Sequence, residues 1–368
     1  MALQSSGAIS LNEIHIEAGG SSGSTASTND ADIRDLIDKS SGATMAFNEW
    51  YGASAFTARW VGLGGGQRES MQYVNIATTG NASDFGDLTS GNTRQLCATV
   101  SSITRGVIIG GNGGDQESNM EYITFATTGN ATFFGDIRNS TGTNVGDRNY
   151  GAAGFSNDTR GVFGGNAYDY NEIEYITIAS TGDSLDFGEL NAQGHYDAGS
   201  CASSTRGVIC GGYASNGRTE RMSYVTTAST GNASDFGDLA EDLMGKASGS
   251  MGSNTRGMIC GGHHGSEDQT NVNGPRETIE YITIASTGNA TDFGDALSKR
   301  VHAASGSSKT RAIPRAGGYN YESPGRSTTM DYVTIASTGN AADFGDLVDG
   351  EQHWTGASNG CGGTSSTA

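Results

Sequence analysis

The chain has 368 residues, of which 58 are glycine and 35% hydrophobic, and its formal net charge of -19 leaves no basic stripe for a phosphate backbone, which excludes nucleic acid as a partner. No run of 18 consecutive apolar residues occurs, and no basic segment leads into an apolar core near the N-terminus, so neither a membrane span nor a signal peptide is expected. The five cysteines (Cys97, Cys201, Cys210, Cys260 and Cys361) lack the paired spacing of a disulfide or metal framework and read as free, small, buried residues.

Residues 1–56 stand outside the pattern of the rest. Ser6 to Ile14 is echoed by Ser41 to Trp50 with one inserted residue. Ser10 and Glu13 form a capping-box pattern for a short helix that buries Leu11 and Ile14. The Gly19–Ser27 stretch reads as flexible from its Gly, Ser and Thr content. Asn29 or Asp30 then caps a second helix whose apolar face holds Ile33, Leu36 and Ile37. So few apolar residues predict a module that docks on something else, with Leu11, Ile14, Ile33, Leu36 and Trp50 as its docking residues.

From Thr57 onward one cassette recurs six times. It starts at Tyr73, Tyr122, Tyr175, Tyr224, Tyr281 and Tyr332, reads YITIASTGNATDFG in its clearest copy, and always spans 13 residues from the Tyr to the Gly after Phe. The Tyr-to-Tyr period varies between 49 and 57 residues. Ahead of each cassette an Arg (Arg59, Arg105, Arg160, Arg206, Arg256, Arg311) opens an apolar stretch that ends in Gly-Gly, and ahead of each Arg runs a segment of small residues. Each repeat thus offers four strands: A (small residues), B (Arg to Gly-Gly), C (the Tyr segment) and D (around Asp-Phe-Gly). Four strands per repeat of this length predict an all-β, six-bladed β-propeller over residues 57–368, with strand A on the crowded central axis.

Strand A of the first blade has two candidates. The C-terminal His353–Asn359 segment resembles a strand A and is favoured to close the ring, while Tyr51–Ser54, which echoes Tyr150–Ala153, competes for the same slot. The alternation of strands puts the A–B and C–D turns on one face and the B–C and D–A connections on the other. The first set is nearly constant. In the second, the distance from Gly-Gly to the next Tyr runs from 8 to 19 residues, and the longest D–A connection lies between Gly135 and Arg160. Loops that vary on a rigid frame carry recognition. The candidate binding residues on that face are Tyr168, Tyr170, Tyr213, Arg218, His263, His264, Tyr319 and Tyr321.

Several motifs point to chemistry and are set aside. Asp-Phe-Gly occurs in five cassettes without the other parts of a kinase. The Asp84/Asp87 pair and its copies are read as Asx-turns and partners of the repeated Arg rather than a cation site, since Phe133 replaces the first Asp in the second blade. His263-His264 with Glu267 and Asp268 lacks metal-ligand spacing. No catalytic constellation stands out, so neither enzyme activity, nor a cofactor, nor a metal is expected.

The repeat part resembles kelch-like β-propellers, through Gly-Gly after an apolar strand and a Tyr after a variable loop. Residues 1–56 are similar to the N-terminal module of tailed-phage tail-fibre and related virion proteins, in Ser6–Ile14, Asn29–Leu36 and Phe47–Ser54. The cassette is similar to those of structural proteins of phages that infect marine bacteria, cyanobacteria included. The resemblance implies a virion tail or tail-fibre protein: the N-terminal module would attach to other tail or baseplate proteins, and the propeller would meet a host-surface glycan or protein. A structural tail component packed against its neighbours and a surface-polysaccharide depolymerase are the alternatives. A homo-oligomer is in keeping with a fibre, although no coiled-coil heptads specify one.

Overall fold

The apolar runs of the repeats form strands in a computed structural model of the chain, which describes residues 9–18, 21–30, 33–34, 42, 44–47, 58–63, 65, 68–89, 94–112, 118–138, 150–165, 171–191, 195–214, 217–240, 249–263, 274–320 and 325–364. The chain divides into two compact units, Met1–Thr57 with Ser366–Ala368, and Ala58–Ser365.

In the smaller unit the capping box is formed: the Ser10 side chain accepts from the Glu13 backbone N–H, and the Glu13 carboxylate accepts from the Ser10 backbone and hydroxyl. These bonds hold the Glu13 carboxyl below its usual range. The helix they start, Leu11–Glu17, buries Ile14 against Ile33, with Leu11, Ile9, Ala26 and Met45 around them. The stretch expected to be flexible is instead tied to this helix in its described part: Gly23 N–H donates to Asn12 Oδ1 at 2.9 Å, and His15 Nε2 meets Ser24 Oγ at 2.7 Å. Of the second helix, Ile33 and Arg34 are described, and the Arg34 N–H donates to the Asp30 carbonyl. Leu36 and Trp50 lie outside the described residues.

The larger unit is a six-bladed β-propeller of antiparallel sheets. Blade one is Thr355–Ser358, Arg59–Leu63, Ser70–Asn75 and Ser83–Asp87, in the order A, B, C, D. Blade two is Ala98–Ser101, Arg105–Ile109, Asn119–Thr124 and Thr132–Asp136; blade three is Ala153–Ser156, Arg160–Gly164, Glu172–Thr177 and Leu185–Glu189. Blade four is Gly199–Ala202, Arg206–Cys210, Arg221–Thr226 and Ser234–Asp238, and blade six is Ala304–Ser307, Arg311–Ala316, Thr329–Thr334 and Ala342–Asp346. In blade five, strands B, C and D are Arg256–His263, Pro275–Thr283 and Thr291–Asp295, and strand A shrinks to the bridges Gly252–Gly257 and Ser250–Ser200.

The small residues of strand A have a defined task at the axis. Ser156 Oγ accepts from the Ser101 N–H and donates to its carbonyl, Ser307 Oγ does the same with Gly252, and Ser200 Oγ donates to the Gly154 carbonyl. Hydroxyls therefore bridge neighbouring inner strands where no bulky side chain fits.

The cassette works at the rim. In all six blades the pairing of strands C and D skips one residue, the Phe before the cassette Gly, as between Met71–Gly86 and Gln72–Asp84. This bulge turns the Phe ring inward, where it meets the cassette Tyr edge to face at 5.8 to 6.1 Å. Gly86 has φ of +140°, and a Cβ there would strike the carbonyl of Gly129 in the next blade. That contact exists because the C–D turn of each blade, Thr127-Thr128-Gly129-Asn130 in blade two, lies along strand D of the one before. Gly129 and Ala131 donate to the Phe85 and Asp87 carbonyls, and Gly80 and Ala82 complete the circle on Phe344 and Asp346. The Asn130 side chain accepts from the Asp87 N–H at 3.1 Å, as Asn81, Asn232, Asn289 and Asn340 do at their own junctions, with Asp183 in the third blade.

The repeated Arg adds a second fastening, and here the expected pairing with the cassette Asp is corrected. Each guanidinium lies 4.1 to 4.7 Å from the centroid of the Tyr ring in its own blade. It donates to a main-chain carbonyl at the end of strand C in the next blade: Arg59 to Phe125, Arg105 to Ile178, Arg160 to Thr227, Arg206 to Ile284, Arg256 to Ile335 and Arg311 to Ile76. The stacking on Tyr aims one Nη1–H of the guanidinium at that carbonyl.

The C-terminal segment closes the ring, and Tyr51–Ser54 lies outside the described residues. Thr355–Ser358 pairs with Trp60–Leu63, and the seam holds two tryptophans: Trp60 and Trp354 meet edge to face at 5.5 Å and donate to the blade-six carbonyls of Ser305 and Ala316. Residues 359–364 continue, buried, across the axis on the A–B side. Asn359 donates to the Ile103 carbonyl, Gly362 to that of Gly252, and Gly363 to the Asn254 side chain, while Lys309 Nζ donates to the carbonyls of Cys361 and Thr364. Replacing Trp354 by Ala removes a fully buried indole and its hydrogen bond at this seam. Denaturant unfolding should show a loss of about 3–5 kcal/mol.

Candidate functional site

The D–A connections are anchored by one buried polar residue per blade, the residue before the cassette Tyr: Gln72, Glu121, Glu174, Ser223, Glu280 and Asp331. Gln72, Glu121, Glu280 and Asp331 accept from the backbone N–H of Val348, Thr89, Ala240 and Leu297, each two residues past strand D of the preceding blade. In blade three Ser184 intervenes, accepting from the Arg138 N–H and donating to Glu174, and in blade four Ser223 donates to Asn191 Oδ1. A second side chain, eleven residues before the repeated Arg, completes three of these sites. Arg94 pairs with Glu121 at 3.2 Å, Arg300 pairs with Asp331, and His195 Nε2 meets Ser223 Oγ at 3.2 Å. The corresponding Asn149 of blade three lies outside the described residues.

Two residues further on, the D–A connections meet around the axis. Leu96, Asp197, His302 and His353 all have positive φ between 53° and 58°, and Gly151 in the same position has φ of 75°. They are joined through the main chain: His353 N–H donates to the His302 carbonyl at 2.9 Å, and Leu96 to His353, Gly151 to Leu96 and Asp197 to Gly151, each at 2.7 Å. Left-handed geometry at five consecutive positions thus builds a collar at the loop-face end of the axis. Its two described ends, in blades four and six, are bridged by side chains: His302 Nε2 lies 3.0 Å from Asp197 Oδ2. The His353 ring lies on that of His302, with centroids 4.2 Å apart. The blade-five position, 247, lies outside the described residues.

Outward from the collar runs an aromatic strip. Tyr150 and Tyr196 meet edge to face at 5.6 Å, and Tyr196 and Tyr213 exchange backbone hydrogen bonds of 3.1 and 2.8 Å. Tyr213 pairs with Arg218 across the B–C hairpin of blade four, and Arg218 Nη2 reaches His263 Nδ1 at 3.3 Å. Of the residues singled out in the sequence, Tyr213 and Arg218 are therefore brought together. Tyr319 sits on the matching hairpin of blade six, paired with Arg326. His263, expected to be exposed, is instead buried at 6%, because strand B of blade five runs on through it and pairs it with Pro275. Tyr168, Tyr170, His264 and Tyr321, with Glu267 and Asp268, lie outside the described residues. Among the described residues no group of His, Cys, Asp and Glu is arranged to hold a metal ion.

Sequence reading missed Tyr150, Tyr196, Asp197, His302 and His353. A signal existed: Leu96, Gly151, Asp197 and His302 all lie nine residues before the repeated Arg. Compared with known proteins, the chain matches no family model and no curated sequence.

Glu174 and His353 carry shifted titrations. The Glu174 carboxyl is pushed up to about 8, first by burial and then by neighbouring Glu172, against the Ser184 hydrogen bond. Its folded value lies above its unfolded one, so its contribution to stability is full below pH 4.5 and is lost as pH rises towards 8. Glu174→Gln should therefore raise stability at pH 8 by on the order of 2–5 kcal/mol and change little at pH 4.5, read from urea midpoints. His353 is pulled down to about 4 by burial and then by His302. Its folded value lies below its unfolded one, so stability falls as pH drops from 6.5 to about 4, and His353→Gln should flatten that limb of the melting-temperature profile.

Proposed function

We propose that the chain is a tail-fibre or tail-tip protein of a phage, located on the virion tail, which binds a host-surface receptor without catalysis. Residues 1–56 dock on other tail or baseplate proteins, and the loop face of the propeller meets the host surface. The observation that carries the reading is the division of labour within the propeller. The cassette and the repeated Arg recur in every blade because they fasten the ring, whereas the B–C and D–A connections differ in every blade and converge on one face. Aromatic and Arg side chains on a rigid, repeat-built frame are suited to contact. The placement on a virion is supported by the likeness of residues 1–56 and of the cassette to phage structural proteins.

The test uses the labelled full chain on a panel of marine bacteria that includes cyanobacteria. It should adsorb saturably to at least one strain and slow infection of that strain by a phage bearing the protein. The double variant Tyr213→Ala with Arg218→Ala should weaken adsorption about thirtyfold, with an unchanged melting temperature. A chain that neither adsorbs nor blocks infection overturns the adhesive reading, as expected of a tail component whose loop face is covered by its neighbours.

A further inference from the structure

We infer that the loop face carries a glycan site running from the collar over blades three and four, formed by Tyr150, Tyr196, Tyr213, Arg218, Asp197 and His302, and that its ligand is a neutral hexose polymer. This rests on the adhesive reading and narrows its ligand class. A pyranose presents a C–H face that packs on an aromatic ring and a rim of hydroxyls that needs both acceptors and donors in fixed directions. The three tyrosines supply rings in succession, two of them held edge to face at 5.6 Å and the third 40% exposed. The donors and acceptors flank them. Arg218 faces Tyr213 across the hairpin, and the partly exposed His302 ring is held at 3.0 Å by the buried carboxylate of Asp197, the residue after Tyr196.

The site is set before any ligand arrives. Gly151 lies so close beneath Tyr196 that a Cβ would enter the ring, and Tyr196 is tied to Tyr213 through the main chain in both directions. Pre-ordered rings and hydrogen-bonding groups lose little conformational freedom on binding. A protein receptor fits this face less well. Its described large exposed apolar side chains, Tyr213, Leu297 and Val348, come from three different blades, whereas a protein interface of standard size is built on a contiguous apolar centre. The net charge of -19 opposes acidic polysaccharides at long range, which leaves neutral ones.

The test is binding of the full chain to an array of neutral hexose oligosaccharides and acidic polysaccharides, together with adsorption to cells treated with periodate or protease. Binding to neutral glycans is expected, falling at least tenfold in Tyr150→Ala and in Tyr213→Ala, and unchanged in Val348→Ser on the same face. Tyr213→Ala, at an exposed position, keeps the experiment decisive should Tyr150→Ala fail to fold. Preference for acidic polysaccharides, or wild-type affinity in both tyrosine variants, overturns the inference. Adsorption that survives periodate but not protease identifies a protein receptor, overturning the glycan site while leaving the adhesive reading intact. Absence of all binding to cells and array brings down both.

Discussion

The main-chain pairing between the turn of one blade and the outer strand of the next is the constraint on which everything else in the propeller depends. A four-stranded blade leaves a strand edge open at the rim, and open edges invite pairing with other chains. Here each edge is occupied by its neighbour: the Gly and the residue after Asn in the turn donate to the carbonyls beside the Phe bulge, and the Asn side chain takes the remaining N–H. The geometry admits only a narrow set of residues. The bulge needs Gly where the next backbone presses in, and the turn needs Gly followed by Asn or Asp. The same bonds cross the seam between blades six and one, where Gly80 and Ala82 reach Phe344 and Asp346 and Arg311 reaches Ile76. The ring is closed at its rim there as firmly as at any other junction, although strand A of blade one, Thr355–Ser358, and the strand B it pairs with, Arg59–Leu63, come from opposite ends of the propeller chain and are joined by hydrogen bonds rather than by a turn.

The candidate site inherits its rigidity from that ring. Successive blades hold the collar residues at hydrogen-bonding distance, and the buried carboxylates and amide of strand C fix where each D–A connection begins. Loops can then vary in length without moving their roots. In blade four the hairpin of Tyr213 and Arg218 is rooted both on its own strands and, through Tyr196, on the collar. Recognition side chains are thereby carried close to rigid backbone even though they lie on connections.

The blade number, the four-strand pattern and the closing strand were legible because each rested on periodicity or on an unfilled slot. Tyr73 and its five counterparts mark strand C, and Thr355–Ser358 had the small residues of strand A with no strand B to follow. The partner of the repeated Arg was not legible. Charge suggested the cassette Asp, but the acceptor is a carbonyl of the next blade, and backbone acceptors leave no trace in composition. The inner strand of blade five was likewise hidden, since Gly249–Ser253 has the right residues but pairs only at isolated bridges. His263 looked like a loop residue because Gly261-Gly262 precedes it, yet strand B continues past that pair. The collar escaped because its members share a backbone conformation rather than a residue type: Leu96, Gly151, Asp197, His302 and His353 have little else in common.

The seam also decides how the propeller responds to force. The strand Arg59–Leu63, with which the chain enters the ring, is paired on one side with Ser70–Asn75 and on the other with Thr355–Ser358. A pull on the segment before residue 58 along the axis of that strand loads both ladders in shear, so that their hydrogen bonds must yield together rather than unzip one at a time. The Asn359 side chain, which accepts from the Arg59 N–H at 2.7 Å, adds a bond at the point where the load arrives. A tether attached there meets the strongest direction of a β-sheet, and the blade that receives it is the one fastened from both ends of the ring.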